Sequence, residues 1–473
     1  MSAAPPLRVT VPPVRRQRLA NGMMLLHIED HRLPTIAVHL QVAGGGCMDP
    51  GGREGLASLT GALLGKGSER FDRQTLAEKI DDLGLSWSAR GGWDGISVTL
   101  AGLSEDLTAI VDLLGEIALR PAFDPAEVDV MRSRRLSGLA RGMDDPSTLA
   151  DWAFAMQVFA DHPYGHPLSG TPTSIASISR DDIAEFHRST VRPQSAILAV
   201  AGDAAPDEVD AAAAAVLGDW PGDGEKTALP EAALPSAPPG CRVLLVDRPD
   251  LSQAQIRWGH PGITRDDEAH DACEVMNWIL GGGGFSSRMI ERIRAEKGLT
   301  YGVHSTFDAR RLGGAFRVST FTPNESVAEV TTEIHSLVDA YRQDGPTEAE
   351  VAAARARFIG GYPLEFETAL QVASRYLELE SFDLPTNSLD TYQDRVEKMT
   401  RDQLATLAAQ TLHPSTATVV IVGRADTYAA TLGDIATVER IDYRDLMGPC
   451  PGPSDDPATG CRQAASFFRR RAD

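Results

Sequence analysis

An arginine and a tyrosine seven positions apart, Arg294 and Tyr301, are the residues of this chain best suited by type and spacing to chemistry. They follow a run of four glycines at 281–284. A guanidinium can hold a carbonyl oxygen and a phenol can donate a hydrogen bond to an oxyanion, but neither group can activate water. The pair is therefore predicted to be one half of an active site.

The surrounding pattern predicts how these two residues are positioned. The glycine run follows a helical stretch over 272–280 and predicts a tight corner between two helices. Gly298 is expected to end the second helix, since glycine commonly follows the last helical residue. Alternation after it predicts a strand with Tyr301, Val303 and Phe307 on one face. Arg294 and Tyr301 would then lie on consecutive elements and converge on one point.

The glycine run itself is predicted to lie beside a substrate. The predicted substrate-binding residues are Gly282, Gly283, Gly284 and Phe285. Phosphate binding is a weaker interpretation, because the run follows a helix rather than a strand and lacks the dinucleotide-binding fingerprint. Arg294 and Tyr301 also have ordinary structural roles open to them: a cation is favoured in the last turn of any helix, and tyrosine is common on half-buried strands.

Length and charge limit the classes of function. At 473 residues the chain is too long for one ordinary core, and two or three domains are expected. A net charge of −21 argues against nucleic-acid binding and fits protein or peptide partners. Five scattered cysteines without CxxC spacing indicate neither a disulfide framework nor a cysteine zinc site.

Localisation is predicted from the same features. No apolar run approaches the length of a membrane span, so no membrane partner is expected. The cysteine pattern favours a reducing compartment. The prediction is a cytoplasmic protein, or a periplasmic one if a signal peptide was removed.

The chain contains an internal duplication. Residues 180–202 match 401–423 without a gap, and 127–138 match 350–361 at nearly the same separation. A constant offset indicates two copies of one domain. The predicted boundaries are a first domain at 15–225, a linker rich in proline, glycine and alanine at 226–240, a second domain at 241–445, and a disordered tail at 446–473.

Within each copy the predicted strands occur in pairs rather than alternating one for one with helices. That order favours an α+β class over a doubly wound parallel sheet. The predicted fold is therefore two tandem homologous domains, each an antiparallel sheet layered with helices.

From about 15 to 440 the order of these pieces resembles the M16 family of inverted-zinc-motif metallopeptidases, which includes pitrilysin and the mitochondrial processing peptidase. The signature Gly55-Leu56-Ala57 carries the resemblance in the first copy. It implies a LuxS/MPP-like metallohydrolase fold. It also implies a His-x-x-Glu-His helix after the signature and a distal Glu, which together bind Zn²⁺ and activate water.

The residues that the resemblance requires are absent from the first copy. Ser58, Gly61 and Ala62 stand at the motif positions, and Gly138 or a close neighbour stands at that of the distal Glu. A site without ligands does not bind metal. No metal and no cofactor are therefore expected in this chain.

The second copy keeps the family's Arg and Tyr as Arg294 and Tyr301. The chain thus resembles the non-catalytic subunit of bacterial M16B heterodimers. That resemblance implies a homologous partner subunit carrying Zn²⁺, a heterodimer or a dimer of heterodimers, and a peptide or unfolded polypeptide as substrate. It also implies a component of a metalloendopeptidase that is inactive alone.

Two alternatives remain open at this stage. In the first alternative, the chain is an inactive scaffold like the core proteins of a respiratory complex. In the second, it is a stand-alone peptide-binding protein or an inactive homodimer. The retained Arg294 and Tyr301 argue against a scaffold, which needs neither residue.

Overall fold

The computed structural model describes residues 8–222, 224–237, 239–433 and 436–447. They form two six-stranded sheets with helices packed on them. Within these ranges no helix has an apolar stretch long enough to cross a lipid bilayer.

The first sheet is built from the N-terminal half of the chain. Its strands are β1 (Arg15–Arg18), β2 (Met24–Glu29), β3 (Thr35–Ala43), β4 (Ser86–Gly91), β5 (Gly95–Leu103) and β6 (Ala196–Gly202). Their order across the sheet is β1-β2-β6-β3-β5-β4. Neighbouring strands are antiparallel except β2 and β6, which are parallel.

The second sheet repeats this arrangement. Its strands are β7 (Arg242–Asp247), β8 (Gln253–Gly262), β9 (Val303–Ala309), β10 (Gly314–Pro323), β11 (Thr418–Gly423) and β12 (Thr437–Asp442). Their order is β12-β7-β11-β8-β10-β9, with β7 parallel to both β11 and β12. Replacing β2 to β6 by β7 to β11 in the first order gives the second, apart from the strand at one edge.

The predicted α+β class with two tandem homologous domains is confirmed by this topology. The sheets differ from the expectation in one detail, since each is mixed rather than wholly antiparallel. In each half the last core strand inserts between two strands that run in opposite directions, β2 and β3 or β7 and β8. An inserted strand must be parallel to one of them.

Helices connect the strands in both halves. The first half contains α1 (Leu56–Leu63), α2 (Arg73–Asp82), α3 (Leu107–Ala118), α4 (Pro125–Asp144), α5 (Pro146–Phe159), α6 (Pro172–Ser177), α7 (Arg180–Thr190) and α8 (Pro206–Leu217). The second half contains α9 (His270–Asn277), α10 (Val327–Asp344), α11 (Glu348–Gly361), α12 (Ala369–Ser381), α13 (Ser388–Lys398), α14 (Arg401–Thr411) and α15 (Ala429–Gly433).

The duplicated segments begin in the same way. Ser179 caps α7 by accepting a hydrogen bond from the amide of Asp182, whose side chain binds back to the cap. Thr400 and Gln403 form the same reciprocal box at the start of α14. A capping box satisfies two amides that the helix leaves without partners. The repeat in sequence is therefore a repeat of local structure.

The two halves exchange a helix. Helix α5 of the first half packs on β8 and β11 of the second sheet, and α12 of the second half packs on β3 and β6 of the first. Arg257 of β8 donates to Asp151 of α5 at 2.6 Å, and His39 of β3 contacts Ser374 of α12 at 3.3 Å. An amphipathic pattern does not say which sheet a helix covers, so the sequence could not predict this exchange.

The predicted domain boundaries stay a prediction. The described residues of the predicted linker form no helix or strand, and Thr227 donates from its amide to Ser195 of the first half at 2.6 Å. At the other end, Leu446 and Met447 are buried, so the packed chain extends at least that far into the predicted tail. The rest of that tail, 448–473, lies outside the described residues.

Candidate functional site

A sharp corner precedes Arg294 in the second half. Helix α9 continues into a π-helical turn, Trp278–Gly282, which a single turn of 3-10 helix, Gly284–Ser286, joins to a second π-helical segment, Ile290–Glu296. A side chain at Gly281 would place its Cβ 2.4 Å from the hydroxyl oxygen of Ser305, and Gly284 has a left-handed φ of +56°. The corner therefore requires glycines at both positions.

Buried hydrogen bonds fix this corner to the sheet. The side-chain Nδ2 of Asn277, at the end of α9, donates to the backbone carbonyl of Ser305 in β9 at 2.9 Å. The Ser305 hydroxyl donates back to Oδ1 of Asn277 at 2.5 Å. The loop that follows is outside this packing: Gly282, Gly284 and Phe285 are exposed and Gly283 is half-buried. The predicted substrate-binding residues thus lie on the surface of a rigidly held corner.

Arg294 lies between two aromatic rings. Its guanidinium carbon is 4.8 Å from the ring centre of Phe285 and 4.7 Å from that of Tyr301. Phe285 is 78% exposed and Tyr301 is 75% exposed. Stacking on aromatic faces holds a guanidinium in place and leaves the N–H groups at its edge free to donate.

Those N–H groups have no hydrogen-bond partner in the part of the chain that the structure describes. Among the residues that the structure describes, none forms an ion pair or hydrogen bond with the Arg294 guanidinium or the Tyr301 hydroxyl. Arg292 on the same helical segment is instead paired with Glu296 at 2.7 Å and with Glu333 at 3.1 Å. Arg294 and Tyr301 are therefore available for a ligand, whereas the neighbouring arginine is not.

The structure brings Arg294 and Tyr301 together, but not by the expected route. The strand begins at Val303, and Tyr301 lies before it, exposed, whereas Val303 and Phe307 are buried. The cause is a turn at Thr300, whose hydroxyl donates to the carbonyl of Phe321 at 2.6 Å and accepts from the amide of Gly302 at 3.1 Å. The prediction that Tyr301 shares a face with Val303 and Phe307 is wrong.

Sequence reasoning also missed the π-helical geometry that presents Arg294. Seven residues, Ile290–Glu296, follow this wider spiral. π-Helical turns are rare and are frequent at functional sites. The segment has no composition that distinguishes it from an ordinary helix, so no sequence signal identifies it.

In the first half, the signature Gly55-Leu56-Ala57 fixes the start of α1. The carboxylate of Asp49 accepts hydrogen bonds from the amides of Gly55 at 2.7 Å and Ala57 at 2.8 Å. These bonds satisfy amides that the first turn of a helix leaves unpaired. Burial raises the pKa of the Asp49 carboxyl to about 7.

At Gly61, where the resemblance implies the Glu of the zinc motif, the structure has no room for a side chain. Gly61 is buried, and a Cβ at this position would lie 2.0 Å from the amide nitrogen of Gly91 in β4. Helix α1 and strand β4 therefore meet backbone to backbone, where no side chain fits. Ser58 and Ala62 are half-buried on a neighbouring strip of α1.

Helix α4 packs against α1 and contributes an arginine to the contact. The guanidinium of Arg135 donates to the carbonyl of Ser58 at 3.4 Å. Gly138 lies one turn further along α4, and the nearest atom to a Cβ built there is a guanidinium nitrogen of Arg141 at 4.0 Å. Sequence reasoning did not single out Arg135, because an arginine in an arginine-rich helix has no distinctive spacing.

Two family models match the chain. Residues 25–171 match the model described as Insulinase (Peptidase family M16), and residues 177–358 match the Peptidase M16 inactive domain. The chain belongs to the M16 peptidase family.

Several M16 relatives are similar over most of their length. An uncharacterized zinc protease of Mycobacterium leprae is 28% identical over 85% of this chain and 89% of its own length. The non-peptidase homolog YmxG of Helicobacter pylori is 25% identical over 80% of this chain and 87% of its own length.

Solved structures show the same fold. The crystal structure of a peptidase M16 inactive domain from Pseudomonas fluorescens has a TM-score of 0.81 and 25% identity, covering 87% of this chain and 98% of its own. A protease structure from Helicobacter pylori has a TM-score of 0.82 at 18% identity, covering 88% and 100%.

The zinc site that defines active M16 chains does not fit here. Ser58, Gly61, Ala62 and Gly138 offer one hydroxyl in place of two imidazoles and two carboxylates. The contact between Gly61 and Gly91 closes the space that a base would need. Within the described ranges no three His, Cys, Asp or Glu residues are grouped so as to hold a metal ion. No step of a reaction is assigned to a metal bound by this M16 chain.

Proposed function

We propose that this M16 chain is the non-catalytic subunit of a heterodimeric zinc metallopeptidase. A homologous partner supplies the zinc ion and the base that activates water. This chain supplies Arg294 and Tyr301, which bind the substrate carbonyl and stabilise the transition state. The substrate is a peptide or an unfolded polypeptide.

The observation that carries the proposal is the contrast between two sites: a stacked, half-buried Arg294 without a hydrogen-bond or ion-pair partner in the described chain, and an α1 helix with no metal ligands. A scaffold would gain nothing by holding a cation between two exposed aromatic rings. Large aromatic side chains exposed together on a rigid corner are typical of a binding surface.

The geometry suggests a division of labour at this corner. Phe285 and Tyr301 fix the plane of the Arg294 guanidinium, so that its edge can donate to a substrate carbonyl. The Tyr301 hydroxyl can then donate a hydrogen bond to the oxyanion of the tetrahedral intermediate. Donors fixed in advance stabilise developing charge without reorganising during the reaction.

The names of relatives agree with this division. The Helicobacter pylori relative is named a non-peptidase homolog, whereas the mycobacterial relative is named a zinc protease. Chains of similar length thus carry both descriptions, which fits a family in which peptidase activity depends on one subunit of a pair.

The test is reconstitution with a zinc-bearing M16 homologue from the same genome. Peptide hydrolysis is measured for each subunit alone and for the pair, together with zinc content by mass spectrometry. We expect activity from the pair, no zinc in this chain, and a loss of about 10²–10³ in kcat for Tyr301→Phe.

Two results would contradict the proposal. Stoichiometric zinc in this chain would show that the geometry of α1 has been misinterpreted. A pair that assembles and hydrolyses peptide equally well with Tyr301→Phe and with the native chain would favour the scaffold alternative, in which the chain supports its partner without contacting substrate.

A further inference from the structure

We infer that a cationic cluster beside α1 of the first half is a binding site for acidic peptide segments. The site is the cationic cluster formed by Lys66, which follows α1, and by Arg134, Arg135 and Arg141 of α4. The ligand groups are the carboxylates of Asp or Glu side chains.

The cluster lacks internal counter-charges. Within the part of the chain that the structure describes, no carboxylate lies within ion-pair distance of any of its four side chains. The nearby Glu127 is paired with Arg73 at 3.5 Å. The chain carries a net charge of −21, so these cations are opposite in sign to the protein as a whole.

Arg135 carries the strongest argument within the cluster. Its one hydrogen bond, to the carbonyl of Ser58, is long at 3.4 Å, although a guanidinium has five N–H donors. Burial lowers the pKa of Arg135, and no acidic group offsets that cost. A half-buried cation is unfavourable until an anion pairs with it, and an arginine can bind a carboxylate through two parallel hydrogen bonds.

Lys66 adds a further positive charge to the cluster. Burial lowers the pKa of its ammonium group, Arg73 and Arg134 lower it further, and the carboxylate of Glu127 offsets a smaller part of this effect. The ammonium group therefore lies in a positive potential produced by its neighbours. A bound carboxylate would relieve the repulsion among these cations.

The cluster also has room for a ligand. Ser58 and Ala62 present small, half-buried side chains on α1, and Gly138 presents none on α4. Nothing lies nearer to a Cβ at Gly138 than the Arg141 guanidinium at 4.0 Å. The small residues Ser58, Ala62 and Gly138 therefore leave space beside the cations, although Gly61 itself is closed.

The shape of the cluster favours a peptide over a small anion. Arg134 and Arg141 are two turns apart on α4, a distance of about 10 Å at 1.5 Å per residue. Alternate side chains of an extended peptide project on one side about 7 Å apart. Two or more carboxylates of one acidic segment can therefore contact the cluster together, which a single phosphate cannot do.

That the bound peptide is a substrate rests on the proposed function, whereas the binding site itself does not. The experiment accordingly uses this full chain without a partner. Fluorescence anisotropy measures binding of a labelled peptide of alternating Glu and Ala, acetylated and amidated at its ends, and of its Gln analogue. We expect the Glu peptide to bind at least about 10-fold more tightly, since each charge-assisted hydrogen bond contributes that much or more.

The variants locate the site. Arg134→Gln with Arg135→Gln should weaken binding of the Glu peptide by about 10-fold or more. The matched control is Arg357→Gln, at the position of α11 that corresponds to Arg134, where the arginine is also exposed. It should change the affinity by less than about twofold, as expected for a charge distant from the ligand. If the double variant is unstable, the exposed Arg134→Gln alone should still weaken binding.

Three results would overturn the inference. These are equal binding of the Glu and Gln peptides, equal loss in Arg357→Gln, and displacement of the peptide by inorganic phosphate at the same concentration of charge. None of them would affect the Tyr301→Phe test in the assembled pair, so failure here is distinguishable from failure of the proposed function.

Discussion

In both halves of the molecule a helical segment ends at a glycine with left-handed backbone and leads into an edge strand of the sheet. In the first half this is Gly84, with φ of 60°, between α2 and β4. The residue four positions earlier is Ile80, which is 1% exposed, and the residue three positions later is Trp87. Trp87 packs against Gly65, where a Cβ would lie 2.4 Å from its ring. Both residues therefore serve the core.

In the second half the glycine is Gly298, with φ of 66°, between the π-helical segment and β9. The residues at the same two spacings are Arg294 and Tyr301. They stack on each other outside the core, and Tyr301 is 75% exposed. One scaffold thus uses the same two positions for packing in one copy and for a ligand-accessible pair in the other.

The backbone differs together with the side chains. Helix α2 is a regular α-helix that Asp72 caps by accepting from the amide of Thr75, whereas Ile290–Glu296 is a π-helix. A wider spiral rotates the side chains that follow it relative to an α-helix. At this corner the second half therefore has a π-helix and an accessible cation and phenol where the first half has a regular α-helix and core packing.

Removal of the Arg294 side chain should have the largest effect on the difference between the two halves. In the assembled pair, Arg294→Ala should lower kcat/KM by about 10²–10³, as expected when a fixed donor to the transition state is lost. The matched control is Arg292→Ala, which removes a cation paired with Glu296 and Glu333 on the same segment. Equal losses in both variants would show that the segment needs positive charge rather than Arg294 itself.

The next effect concerns Gly61, where α1 meets β4 backbone to backbone. Gly61→Ala should destabilise the chain by about 3 kcal/mol, because overpacking against backbone cannot be relieved by a side-chain rotation. The added Cβ would lie 2.0 Å from the amide nitrogen of Gly91. Urea unfolding measures the change. An unchanged midpoint would mean that α1 and β4 separate easily, and the space for the Glu that acts as base would then be open.

A smaller effect distinguishes the two halves by pH. His260 in β8 stands where β3 has Val42, and its ring is buried in one neutral tautomer. Its Nδ1–H donates to the carbonyl of Pro261 at 2.7 Å, and Nε2 accepts from the amide of His413 at 3.1 Å. Burial lowers the pKa of His260 to about 4. Protonation would remove the acceptor that binds His413.

The sign of the effect follows from that lowered pKa. An unfolded histidine has a pKa of about 6.5, so the unfolded state takes up protons first as the pH falls. The contribution of His260 to stability is complete above about pH 6.5 and should fall by roughly 2 kcal/mol at pH 5. His260→Val should reduce this pH dependence in urea unfolding. It should not abolish it, because burial also lowers the pKa of His39 to about 4.

The sequence was sufficient for features that depend on short periods and on repetition. The duplication and the α+β class follow from local patterns, and the sheet topology confirms both. The missing ligands at Ser58, Gly61 and Ala62 stay a prediction. The convergence of Arg294 and Tyr301 also follows from their spacing, although the element that carries Tyr301 was misassigned.

Other features depend on contacts between segments distant in the chain. The exchange of α5 and α12, the approach of Gly61 to Gly91 and the long hydrogen bond of Arg135 to Ser58 join residues that no local pattern connects. The turn at Thr300 depends on a hydrogen bond to Phe321 in another strand. These features required the folded structure.

The smallest effect concerns Gly138 on α4, where the structure leaves space for a side chain, in contrast to Gly61 on α1. Gly138 lies inside Pro125–Asp144, where glycine is less favourable than alanine by about 0.5–1 kcal/mol. Its nearest neighbour would be 4.0 Å from a Cβ, which is ordinary contact. Gly138→Ala should therefore stabilise the chain by that amount in urea unfolding, opposite in sign to Gly61→Ala. A destabilisation would show that the distal position is also closed, and the space assigned to an acidic ligand would be lost.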